Sequence, residues 1–73
     1  MHIFGVKMVK IRLNGEDREV TAGNCLALID EIGLDGRKLA IERNYEIVPR
    51  SAYLGTQLQD GDQLEIVTFV GGG

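Results

Sequence analysis

One helix packed on one mixed β-sheet, an α+β fold, is what this sequence predicts. Three observations carry that expectation. Residues 8–20 alternate apolar and polar side chains around an Asn-Gly pair. Residues 25–32 repeat apolar side chains at helical spacing, and the remainder returns to short strand-like runs divided by turn residues.

The first run reads as a hairpin. Val9, Ile11 and Leu13 alternate with Met8, Lys10 and Arg12, which is the period of a strand with one buried face. Asn14 and Gly15 both tolerate the positive φ of a tight hairpin turn. A two-residue turn sets Leu13 opposite Glu16, Arg12 opposite Asp17, Lys10 opposite Glu19 and Val9 opposite Val20. Two opposite-charge pairs then share the outer face, and Val9 meets Val20 on the inner one, so charge and hydropathy choose the same register.

"NCLALIDEIG" follows as a helix. Cys25, Leu28, Ile29 and Ile32 fall on one face. Asn24 is its expected N-cap and Gly33 its left-handed stop. Asp30 and Glu31 are assigned to the solvated face. Residues 39–42 read as a strand, Asn44-Tyr45 as a turn and residues 46–48 as a shorter strand that Pro49 ends. Asp60-Gly61 forms another turn. The last strand starts near Gln63, with Leu64 and Ile66 on one face and Glu65, Val67 and Phe69 on the other. This order implies a β-grasp, ubiquitin-like arrangement with four to five strands on one main helix and a flexible C-terminal glycine tail. The expected layout is residues 1–7 as an N-terminal extension or the start of the first strand, residues 8–70 as the domain and residues 71–73 as the tail.

Composition narrows the function. A chain of 73 residues supports one small core and leaves little for a deep cleft. Its net charge of −3 argues against nucleic acid as a partner. No apolar run is long enough for a membrane span. A single cysteine excludes an internal disulfide and a cysteine-rich metal site, and a cytoplasmic protein is the expectation.

No catalytic constellation is legible. His2 stands alone near the start. Cys25 sits where a helix terminus can lower a thiol pKa, but also on the apolar face, where free cysteine packs as a small hydrophobe. Asp60 and Asp62 share a turn without an acid–base partner. No metal site and no phosphate-binding glycine motif occurs.

The feature that asks for chemistry is the end, "EIVTFVGGG". Glycines make a slim strand end, permissive in φ and ψ. Four residues from Val70 span about 13 Å when extended, enough to carry a carboxylate into another protein's active site. A carboxylate is a poor electrophile until it is activated, most simply as an acyl-adenylate made from ATP, from which a sulfur nucleophile displaces AMP. A plain disordered end is the competing reading.

"LNGE" at 13–16, "RNYEIVPR" at 43–50 and "LQDGDQLEIVTFVGGG" at 58–73 together resemble the ThiS sulfur carrier family of thiamin biosynthesis. The resemblance covers roughly residues 8–73. Residues 1–7 are additional to its pattern, and Tyr45 stands where a small or polar turn residue is more usual. The resemblance implies a carrier that is not itself an enzyme. Gly73 would bear the adenylate and then the thiocarboxylate, with Gly71 and Gly72 threading a partner's active site. The partners implied are an E1-like adenylyltransferase of the ThiF type, a persulfide derived from a cysteine desulfurase, and a thiazole synthase of the ThiG type. ATP and Mg²⁺ would be used by the adenylyltransferase, and no cofactor or metal would be held by the carrier. Val67 and Phe69, beside the tail, form an expected docking strip, and Arg50 is either a further partner contact or the mate of an acidic neighbour. Other readings stay open: a carrier for molybdopterin, tungstopterin or cysteine synthesis, a protein modifier, or a non-reactive β-grasp interaction domain.

Overall fold

A computed structural model describes residues 7–69; the expectations for residues 1–6 and for the 70–73 tail, including Gly71, Gly72 and Gly73, lie outside the described residues. β1 (Val9–Leu13) and β2 (Glu16–Val20) form the hairpin. α1 (Cys25–Glu31) follows. β3 (Leu39–Arg43), β4 (Glu46–Val48) and β5 (Gln63–Thr68) complete one sheet in the order β2-β1-β5-β3-β4. β1 and β5 run parallel at its centre, and the other neighbours are antiparallel. The expected α+β, β-grasp architecture is the one observed.

The hairpin register is the one its charges and apolar positions select, from Val9 opposite Val20 to Leu13 opposite Glu16. Asn14 and Gly15 both have positive φ, 50° and 81°, as a tight turn of this hand requires. Arg12 and Asp17 form an ion pair at 2.9 Å. Asn24 caps the helix by accepting from the Ala27 N–H at 2.8 Å, and Gly33 follows its end at a φ of 79°.

Every strand contributes to one core on the helix side of the sheet. Val9, Ile11, Leu13, Val20, Leu39, Ile41, Val48, Leu64 and Ile66 pack with Cys25, Leu28 and Ile29, and Ile32 is partly buried against them. Ala22, Tyr53 and Leu58 join this core without strand or helix periodicity to announce them. The segment that carries Tyr53 and Leu58 also pins the helix start. The Cys25 N–H donates to the Thr56 carbonyl, Leu26 N–H to that of Tyr53, and Leu58 N–H to that of Gly23.

One surface assignment changes. Asp30 is exposed as expected, but Glu31 is more than part of a wet face. Its carboxylate accepts the Thr21 hydroxyl at 2.7 Å and the Thr21 N–H at 3.1 Å, tying the end of α1 to the chain leaving β2. The Thr21 hydroxyl holds the Glu31 carboxyl below its ordinary pKa.

Candidate functional site

β5 is the element that leads to the tail, and two asparagines in left-handed turns clasp it. The Asn14 side chain accepts the Ile66 N–H at 2.8 Å and donates to the Ile66 carbonyl at 3.3 Å. It continues the sheet's pairing after backbone pairing of β1 with β5, Arg12–Leu13 opposite Gln63–Leu64, has ended. The Asn44 side chain accepts the Gln63 N–H at 2.9 Å, and its own N–H donates to the Gln63 carbonyl at 2.7 Å. The strand is therefore held at its start and middle.

The turn before β5 is a polar node. Asp62 is only 5% exposed. It accepts from Arg43 Nε at 2.9 Å, the Asn44 amide at 3.0 Å and the Gln59 N–H at 2.8 Å. Burial pushes its carboxyl up, but the Asn44, Arg43 and Gln59 hydrogen bonds together outweigh that, and the group titrates below its ordinary range. Asp60 accepts the Lys10 N–H at 2.9 Å. The turn holds no acid–base partner for its carboxylates, as expected, but it does hold a charge partner: Arg43, nineteen residues away in sequence, is brought beside Asp62 by β3–β5 pairing. The ion pair closes the sheet end and leaves no free acid–base couple.

Cys25 is fully buried, and burial raises its thiol pKa. It packs; it is not an activated nucleophile. Among the described residues no cluster of three or more His, Cys, Asp or Glu is placed to hold a metal ion. No helix among them is long and apolar enough to cross a membrane.

The open face of the sheet, opposite the helix, carries one set of exposed apolar groups. Val67 is 59% exposed and Phe69 56%. Leu64 and Ile66, alternating with Val67, are buried, as the strand period requires. The Phe69 N–H donates to the Lys38 carbonyl at 2.7 Å, extending the β3–β5 ladder one bond toward the tail. Register adds a residue that sequence reading missed. Ile47 of β4 lies opposite Glu42, which lies opposite Glu65 of β5. Ile47 is 68% exposed, on the same face as Val67. Its signal was the alternation with buried Val48, too short over three residues to fix a face. Arg50 opens a 3-10 turn, Arg50–Ala52, outside these strands; it is exposed and forms no ion pair among the described residues. A second apolar patch, Leu26, Leu34 and Leu54, lies along a shallow groove on the helix side.

A single-helix β-grasp domain with an exposed apolar strip at the root of a glycine tail defines a class of small ubiquitin-like proteins. Residues 11–73 match the ThiS family, and the chain belongs to it. The sulfur carrier protein ThiS of Bacillus subtilis is 37% identical over 65 residues, covering 86% of this chain and 98% of that protein. A thiazole synthase of Paramagnetospirillum magneticum is 52% identical over 66 residues, 89% of this chain but 20% of that protein. One from Magnetococcus marinus is 44% identical over a stretch of the same length. The chain therefore spans about a fifth of the length of the thiazole synthases it matches. The crystal structure of the thiamine biosynthesis protein ThiS from Geobacter metallireducens superposes with a TM-score of 0.76 at 28% identity, covering 89% of this chain and all of that one.

Proposed function

We propose that this chain is a sulfur carrier for thiazole formation in thiamin biosynthesis, a co-substrate that partner enzymes act upon. The α-carboxylate of Gly73 attacks the α-phosphate of ATP in an E1-like adenylyltransferase that supplies the Mg²⁺, and pyrophosphate leaves. A persulfide generated by a cysteine desulfurase attacks the acyl-adenylate and AMP leaves. A thiol then cleaves the resulting acyl disulfide, and the thiocarboxylate remains on Gly73. A thiazole synthase takes the sulfur from it.

The observation that carries this reading is the exit of β5. Val67 and Phe69, which stand just ahead of the glycines in the sequence, are exposed on the open face and make an apolar strip that a partner surface covers. The names of the relatives support the chemistry: one is a sulfur carrier protein, and two are thiazole synthases that contain a stretch similar to this chain. The latter favour thiazole over another sulfur acceptor. Arg50 is a separate contact with the partner, and Gly71 and Gly72 occupy the partner's channel.

The test is pyrophosphate release from ATP and Mg²⁺ with a ThiF-type adenylyltransferase. Release should depend on the chain, and Phe69→Ala and Val67→Asp should impair it while thermal melts stay near wild type. Apolar anchors at an interface cost about 2 kcal/mol or more when truncated, which is about thirtyfold in affinity. Release at the wild-type rate with both variants would move the docking surface elsewhere.

A further inference from the structure

The end of β5 overhangs an apolar hollow on the helix side of the sheet. β1 stops pairing with β5 at Leu13 and Leu64, and the Asn14 side chain extends that edge only to Ile66. On its other side β5 pairs with β3 as far as Thr68, and the Phe69 N–H adds one bond to the Lys38 carbonyl. The last described residues of β5 therefore run past the hairpin turn with a strand neighbour on one side. The hollow beneath them has Leu13, Ile32, Leu34 and Ile66 as its apolar lining and Thr68 on the side toward the tail. Asn14 and Arg18 form its rim, and the Asn14 amide is already spent on Ile66.

Leu34 is placed there by the way α1 ends. Gly33 takes a φ of 79°, its N–H donates to the Asp30 carbonyl, and the Leu34 N–H donates to that of Ile29. These two bonds make a Schellman stop, which fixes the residue after the glycine. The stop sets Leu34 at the hollow while leaving it 38% exposed, with Ile32 partly buried beside it.

Strand period names the side chain that this hollow fits. Leu64, Ile66 and Thr68 belong to the helix-side series of β5, and the next member of that series is Val70. Valine is apolar and β-branched, the residue type that suits an extended, half-buried position. Phe69, immediately before it, still bonds as a strand residue. Three glycines follow, so Val70 is the last side chain before the carboxylate that has apolar surface to bury.

Building on the carrier reading, we propose that Val70 packs into this hollow against Ile32 and Leu34 and is a positioning residue for the tail. The free reach of the carboxylate is then that of three glycines, about 10 Å, rather than that of four residues, about 13 Å. A shorter free segment has less conformational entropy to lose when it enters a partner's active site. Val67 and Phe69 meet the partner from the open face. Val70 acts from the opposite side, through Leu34, and fixes where the tail begins.

The experiment has a structural arm and a kinetic arm, both on the full chain. Methyl-labelled protein is examined by NMR for nuclear Overhauser contacts between Val70 and Leu34. Val70→Ala, Leu34→Ala and the double variant are compared with wild type in urea melts. The same chains are compared in pyrophosphate release with ATP, Mg²⁺ and a ThiF-type adenylyltransferase as carrier concentration is varied. Val70 and Leu34 methyls should be in contact in the free chain, and the double variant should lose less stability than the two single losses added together. Val70→Ala should raise the KM for the carrier about fivefold with kcat unchanged, Leu34→Ala should do the same, and the double variant should go no further. Missing methyl contacts, or additive losses of stability, overturn the packing. A wild-type KM in both single variants overturns the positioning role, and a KM raised by Val70→Ala alone places Val70 on the partner and contradicts the proposal. If the wild-type chain itself releases no pyrophosphate, the carrier reading fails and the positioning role falls with it, while the methyl contacts still decide the packing.

Discussion

Asp62 shows how far a single side chain in this fold depends on distant partners. The motif "DGD" announces a turn, and that much is legible locally. Its bond to Arg43 is not, because only β3–β5 pairing brings the two together. Asp62→Ala leaves Arg43, the Asn44 amide and the Gln59 N–H without their acceptor and should cost roughly 2–4 kcal/mol in a urea melt. The pH dependence follows from the lowered carboxyl. A carboxylate with a folded pKa below its unfolded value stabilises above about pH 4, and that contribution disappears as pH falls through the folded value. The melting-temperature gap between wild type and Asp62→Asn should therefore be full at pH 6 and narrow steadily below about pH 4. A gap independent of pH would remove the charge from the account. Tyr45 poses the opposite case. It has a φ of 71°, a left-handed setting that suits glycine, and its hydroxyl donates to exposed Gln63 at 2.8 Å. Tyr45→Gly should raise stability by about 0.5 kcal/mol, relief of strain exceeding the lost exposed bond. A loss of stability would give that hydrogen bond the larger share.

Among the elements, the hairpin and helix were the most legible, because turn chemistry, charge pairing and hydrophobic period agree there. The faces of β5 were legible for the same reason: Leu64 and Ile66 are buried, and Val67 is not. Ile66→Ala should cost roughly 2–5 kcal/mol, enough to threaten so small a domain, and a change below about 0.5 kcal/mol would contradict the observed burial. The stretch from Pro49 to Asp60 was not legible. Its buried members, Tyr53 and Leu58, sit on irregular backbone where no period marks the inner face. Nor could the Asn-Gly turn reveal that Asn14 also bonds both backbone groups of Ile66. Asn14→Gly keeps the turn's conformation and deletes those bonds, so it should lower stability by about 1–2 kcal/mol without shifting the hairpin register. Unchanged stability by denaturant melt would mean that water replaces the side chain at no cost.

At the scale of the molecule, the sequence specifies one sheet and one helix, and the structure adds the order that matters for function. β5 lies in the sheet interior beside β1 and β3, so the strand that leads to the tail is held on both sides before it emerges. Val67 and Phe69 were readable as outward-facing from strand period alone; Ile47 and the Glu42–Glu65 row needed the register. The central claim is that the Gly73 carboxylate is the group that carries sulfur. The most direct measurement is intact mass after incubating the chain with ATP, Mg²⁺, a ThiF-type adenylyltransferase, a cysteine desulfurase with cysteine, and a thiol. The account predicts a species heavier by one exchange of oxygen for sulfur, absent from a chain extended by one residue beyond Gly73. An extended chain that acquires sulfur as readily as the native one would contradict it.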